Sequence, residues 1–185
     1  MVRTRAAVID GTQRAVEKYG SRKTTMADVA SLAGVAKATL YNHFRTKRDV
    51  YAATLESEVH ALGAECARLA ADEGLAASLA RAAERLGSHA ALRRIALDEP
   101  AVLARLATPA DGAAWTVARD AVRAMLAGGG RASSPAEVEL VLRWLVTHIG
   151  SPAGAAEIAA GARALTTGLA QGSPGPIPGW HTGHQ

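Results

Sequence analysis

Residues 24–47, TTMADVASLAGVAKATLYNHFRTK, constrain this chain more than any other stretch, because two short helices, a tight turn and the entry to a third helix are written into 24 positions. Thr25 stands where an N-cap belongs, and Asp28 three residues on completes a capping box, so a helix should begin at Met26. Met26, Val29, Ala30 and Ala33 fall at i, i+3, i+4 and i+7 and give that helix one apolar stripe. Gly34 should end it, since glycine accepts positive φ without strain. A second helix is expected over residues 36–43. With Leu40 pointing inward, Phe44 and Ala36 lie near it, Ala38 and Asn42 lie opposite, and Thr39 and Tyr41 flank the outer face. Thr46 and Asp49 form another capping box, so a third helix starts with Lys47 in its first turn, where free N–H groups favour an anion.

The outward chemistry of the second helix suits a DNA major groove. Asn42 can bond adenine through two hydrogen bonds, the methyls of Ala38 or Thr39 can touch thymine, and Lys37, Tyr41 and His43 can hold phosphates. Charge supports this. Residues 1–48 carry ten basic side chains (Arg3, Arg5, Arg14, Lys18, Arg22, Lys23, Lys37, Arg45, Lys47, Arg48) against three acids (Asp10, Glu17, Asp28). The segment is therefore +7 while the remainder is −3, within a total of +4. Positive charge gathered on the segment that holds the helical pair is what contact with DNA phosphates requires.

The run Thr24-Thr25-Met26-Ala27-Asp28-Val29-Ala30, then Ala33-Gly34-Val35, Lys37, Thr39-Leu40-Tyr41, His43-Phe44 and Thr46-Lys47 closely resembles the helix-turn-helix signature of the TetR (tetracycline repressor) family of bacterial transcription regulators. The likeness covers roughly residues 5–55. It departs from the signature at three places: Ala36 replaces a capping Ser or Thr, Ala38 a usual Gly, and Val16 an aromatic residue. Losing the cap should cost about 1 kcal/mol. The resemblance implies a DNA-binding site drawn from Thr24, Thr25, Lys37, Ala38, Thr39, Tyr41, Asn42, His43 and Lys47, a homodimer, and an effector pocket in a C-terminal helical domain.

Elsewhere the sequence reads as helix. Residues 4–19 form the first one, with Val8, Ile9, Thr12, Ala15, Val16 and Tyr19 inward and Gly11 weakening its middle by about 1 kcal/mol. From Lys47 to about Asp72 a long helix of roughly 35 Å carries Val50, Tyr51, Leu55, Val59, Leu62, Cys66 and Leu69 on its stripe. Helices follow over 75–87 and 89–98, a short one near 100–107, one opened by Thr108-Pro109-Ala110-Asp111 and carrying Trp115 and Met125, one over 135–149 capped by Ser134 and Glu137, and one over 153–171. Gly154, Gly161 and Gly168 recur at seven, either a face for close helix approach or plain compositional bias. The tail 172–185, rich in Gly and Pro, should be disordered, with His181 and His184 incidental.

The expectation is an all-α protein: an N-terminal three-helix helix-turn-helix DNA-binding domain (1–47), joined by a long helix to a C-terminal helical effector-binding and dimerisation domain (48–171), and a tail (172–185). One cysteine permits no internal disulfide and there is no apolar leader, which points to a cytoplasmic protein. No metal-spaced Cys/His set, phosphate-cradling glycine loop or Ser/His/Asp order stands out, so neither enzyme activity nor a cofactor is expected. The function read here is sequence-specific transcriptional regulation: a repressor released from a near-palindromic operator by a small lipophilic effector. Its presumed lining is Val59, Leu62, Cys66, Trp115, Met125, Trp144 and His148, and the dimer forms through helices 135–149 and 153–171. A non-specific nucleoid-type DNA binder and a helical protein-interaction module stay open beside it.

Overall fold

The computed structural model describes residues 2–98 and 113–171. The short helix expected near 100–107, the helix start at 108–111 and the tail with His181 and His184 lie outside the described residues. Within them the helices are α1 (Val2–Tyr19), α2 (Met26–Ala33), α3 (Lys37–His43), α4 (Lys47–Glu73), α5 (Leu75–Ser88), α6 (Ala90–Asp98), α7 (Ala113–Gly128), α8 (Pro135–Gly150) and α9 (Ala155–Gln171). No described helix is long and apolar enough to cross a membrane.

The start signals act as the sequence predicts. Thr25 and Asp28 exchange both hydrogen bonds of the capping box, as do Thr46 with Asp49 and Ser134 with Glu137. The bonds from Thr25 hold the Asp28 carboxyl below its ordinary range, and those from Ser134 do the same for Glu137. Gly34 caps α2 in the left-handed region at φ 66°, where a Cβ would be strained. Ala36, the residue before α3, provides no side-chain cap and is exposed rather than turned inward. Its extended backbone, φ −64° and ψ 146°, is the conformation an N-cap Thr adopts. Ala36→Thr is therefore expected to stabilise the protein by about 0.5–1 kcal/mol, a rise of roughly 2–4 °C in midpoint read by thermal circular dichroism.

Packing forms two cores. The first joins Val8, Ala15, Val29, Ala30, Leu40, Phe44, Val50 and Ala53, with Tyr19, Met26 and Val35 against it. The second joins Cys66, Leu79, Val122, Met125, Leu126, Val138, Val141, Leu142, Leu145, Ile158 and Leu169 with small residues of α4, α5 and α9. Helix α4 supplies both, so the first two turns of α4 pack with the head and the packing boundary falls inside this helix rather than at 47. Between Ala53 and Gly63 only Thr54 is buried, and the residues that follow it are half-buried or exposed. The whole of α4, 27 residues and about 40 Å long, is thus a strut joining head to body.

Two glycines have contact roles. A Cβ on Gly11 would lie 2.6 Å from Ala33 N and 2.7 Å from Ala33 Cβ, so Gly11 is where α1 and α2 touch, not merely a weak point in α1. On α9, a Cβ at Gly161 would lie 3.1 Å from the Trp144 indole of α8, whereas Gly154 and Gly168 have open space beside them. The seven-residue glycine repeat is therefore not one shared contact within the chain.

Candidate nucleic-acid interface

Helix α3 hangs on its inner side chains. Leu40 is fully buried and Phe44, just past the last turn, is 6% exposed. Lys37, Ala38, Tyr41 and Asn42 are exposed, and Thr39 and His43 half-buried. The outer side of the helix is thus polar or small around its length, with Tyr41 49% exposed although aromatic. Arg5 lies with its guanidinium 5.9 Å from the Phe44 ring centroid, beside the end of α3. Sequence reasoning counted Arg5 only as charge; the α1-to-α3 proximity that places it appears only in the fold.

Two expected contact residues have other work. Thr24 is 2% exposed, its hydroxyl 2.8 Å from the Gly20 carbonyl and 3.0 Å from the Ala15 carbonyl. It therefore ties the end of α1 to the turn before α2 and is not offered to a ligand, a correction to the site expected from sequence. Lys47 does start α4, but its ammonium donates to the Arg22 carbonyl at 3.1 Å and stands 5.4 Å from the Tyr51 ring centroid. Thr25 remains exposed, with its hydroxyl engaged with Asp28 at 2.6 Å.

The electrostatics separate head from body. Of the ten head cations, only Arg14 pairs with an acid among the described residues, Asp10 at 2.6 Å. In the body Arg81, Arg85, Arg94, Arg119, Arg123 and Arg131 all have a carboxylate partner. Cations left without counter-charges keep their full attraction for an external polyanion.

The expected effector lining is only partly brought together. Cys66 and Met125 sit in the body core with Leu62, Trp115 and Trp144 packed against it, while Val59 is half-buried on the strut and outside that core. Burial pushes the Cys66 thiol up, the opposite of what a reactive thiol needs. His148 is buried, its Nδ1 bonded to the Trp144 carbonyl at 2.9 Å and its ring edge-on to the indole with centroids 4.6 Å apart. Trp144 and His148 line an open groove of about 350 Å³ with Pro152, Glu157 and Gly161. Among the described residues no three His, Cys, Asp or Glu side chains are grouped to hold a metal.

Residues 8–54 match the bacterial regulatory proteins of the tetR family. That segment ends where α4 leaves the head core. That segment of the chain therefore resembles the tetR-family helix-turn-helix head. It is 44% identical over 54 residues to the HTH-type transcriptional regulator TtgR of Pseudomonas putida and, over the same length, to the probable HTH-type transcriptional regulator ArpR of the same species. The match takes in 29% of this chain and 26% of each relative. The whole architecture is similar to that of the fatty acid degradation regulator FadR from Bacillus halodurans, with a TM-score of 0.59 at 13% identity, covering 91% of this chain and 99% of that one. At that identity the likeness is one of fold alone.

Proposed function

We propose that this chain is a TetR-family, sequence-specific DNA-binding transcriptional regulator, without catalytic activity, that acts on the chromosome in the cytoplasm. One observation carries the reading: α3 is fixed from inside by Leu40 and Phe44 while Lys37, Ala38, Tyr41 and Asn42 stand bare outside, on a head whose cations are almost all unpaired. Asn42, Ala38 and Thr39 read bases; Lys37, Tyr41, His43 and Arg5 hold phosphates; Thr25 and Lys47 support the two flanking helix starts. Asn42→Ala is expected to relax preference at one base position at a cost of about 1–3 kcal/mol, while Lys37→Ala weakens all duplexes alike and lowers the salt slope by about one. Binding to selected and random duplexes is compared across a salt series. Equal affinity for both at every salt would reduce the protein to a non-specific binder.

Homodimerisation through α8 and α9 fits a near-palindromic operator, with recognition helices about 34–36 Å apart or a multiple of that. Leu140 is 50% exposed on α8, and the outer face of α9 carries the small residues Ala160, Ala164 and Gly168 beside Arg163 and Thr167. Gly161→Leu does not test this face, because its side chain would strike Trp144 of the same chain. Gly168 has nothing within 4 Å, so Gly168→Leu should leave a lone chain intact and disrupt a second copy packed there. Sedimentation velocity at micromolar concentration is expected to show a dimer for the wild type and a shift toward monomer for Gly168→Leu with unchanged helicity. A monomeric wild type would remove the arrangement.

Regulation by a small lipophilic effector is supported by α4, which packs in the head at Val50 and in the body at Cys66. An effector that prefers one tilt of this strut changes DNA affinity by their coupling free energy, typically about 1–3 kcal/mol. Leu62, Trp115 and Met125 are the expected lining nearest the strut, and release of the operator by that effector makes the protein a repressor.

A further inference from the structure

A cleft of about 450 Å³ separates head from body, walled by Tyr19, Gly20, Arg22 and Lys23 on one side and by Arg94 and Asp98 of α6 on the other. The head wall has a fixed backbone. The carbonyls of Gly20, Ser21 and Arg22 accept in turn from the Thr24 hydroxyl at 2.8 Å, the Tyr51 hydroxyl at 2.9 Å and the Lys47 ammonium at 3.1 Å. Three successive carbonyls held by three side chains leave this turn little freedom. The side chains of Arg22 and Lys23 are nevertheless exposed and pair with no acid among the described residues. Across the cleft, Arg94 Nε donates to Asp98 Oδ2 at 2.6 Å, and its side chain stays 49% exposed. Asp98 can come this close only because position 20 is glycine: a Cβ there would lie 2.7 Å from its Oδ2, and φ is 79°.

Three cations therefore face one cleft with a single carboxylate among them, and that carboxylate is already spent on Arg94. Like charges held on opposite walls repel, and an anion set between them removes the repulsion and gains from each. Guanidinium groups meet phosphate through paired N–H···O bonds, and the ammonium adds a point charge. The volume lies in the range of sites for small metabolites. We propose that this junction cleft binds a small free polyanion bearing phosphate groups, held by Arg22 and Lys23 of the head and Arg94 of the body. The site is distinct from the lipophilic one in the body, and its occupant joins head to body through charge.

Pyrophosphate is the probe, titrated calorimetrically into the full chain at constant ionic strength. One saturable site per chain is expected, weakened at least ten-fold in Arg94→Gln and in the double variant Arg22→Gln/Lys23→Gln, and unchanged in Arg163→Gln on α9. Lys23→Gln alone, a surface change, guards against any loss of folding in Arg94→Gln and should weaken binding several-fold at an unaltered melting temperature. Heat that never saturates, or equal weakening in Arg163→Gln, overturns the proposal as a general salt effect. So does the absence of a pyrophosphate site together with a loss of affinity for every duplex in Arg94→Gln, because the cleft would then receive a phosphate of the DNA backbone.

Discussion

Leu40→Ala is expected to melt the head while the body stays folded. Leu40 is fully buried, and it holds α3 against Val8, Val29 and Val50 within the head core. Truncating such a leucine costs about 2–5 kcal/mol, from lost burial and from the cavity that remains. The head is small, and α3 has only seven residues, too short to persist without packing. A loss of this size is a large part of what a domain of about fifty residues can store. The head and body cores share α4 but no cluster residue, and residues 55–62 of the strut between them are all half-buried or exposed. Calorimetry should therefore resolve an early transition for the head and a later one near the wild-type temperature. DNA binding should be lost with the first. A single transition displaced as a whole would show that α4 couples the two cores into one cooperative unit.

The contrast with Asn42→Ala separates scaffold from readout on the same helix. Asn42 is exposed and lies outside the head core, so its removal should leave the melting curve in place and alter only base preference. Leu40 contributes nothing to base contact and controls whether the face exists at all.

What could be read before folding, and what could not, follows from the range of the interactions. Capping boxes, glycine stops and the buried stripe of α2 are local, and Thr25, Asp28, Gly34, Thr46 and Asp49 all act in the structure as their spacing implies. Position Ala36 shows the same in reverse, since a missing hydroxyl is visible in the sequence and the helix start carries no side-chain cap. The true partner of Lys47 is 25 residues away, and the second partner of the Thr24 hydroxyl, the Ala15 carbonyl, lies nine back in α1, so neither could be read from spacing. The stripe of α4 misled for a different reason. Leu55, Val59 and Leu69 keep the helical period yet are only half-buried, while Ala53, Gly63 and Ala70 are buried. A hydrophobic pattern finds large apolar side chains, but the closest approach of two helices is made by small ones. For the effector lining, the pattern marked side chains that fill a core, and core packing carries no signal that tells a ligand from a neighbour.

That closest approach sets the second large effect. α4 and α7 pack with Gly63 against Ala121, where an added Cβ would lie 2.6 Å from Ala121 Cβ, and with Gly128 against the Ala67 carbonyl. In an exposed helix interior, Gly→Ala gains about 1 kcal/mol from propensity. At Gly63 that gain is opposed by contact with a methyl group and, 3.2 Å away, the backbone of α7, neither of which can turn aside as a flexible side chain does. Overpacking of this kind costs about 1–3 kcal/mol. Gly63→Ala should therefore lower the melting temperature despite its better propensity, and Gly63→Leu should lower it further. Separation of α4 from α7 also disturbs Cys66 and Met125, which lie in the same core, and with them the end of the strut that an effector would move. Gly63→Leu should consequently lose effector response at temperatures where its head still binds duplex DNA. Gly168→Ala is the control, a helical glycine with open space around it that should stabilise the isolated chain by up to about 1 kcal/mol. If Gly63→Ala and Gly168→Ala both raised the melting temperature, the α4–α7 crossing would be looser than this geometry, and the strut would have room to tilt without displacing its neighbour.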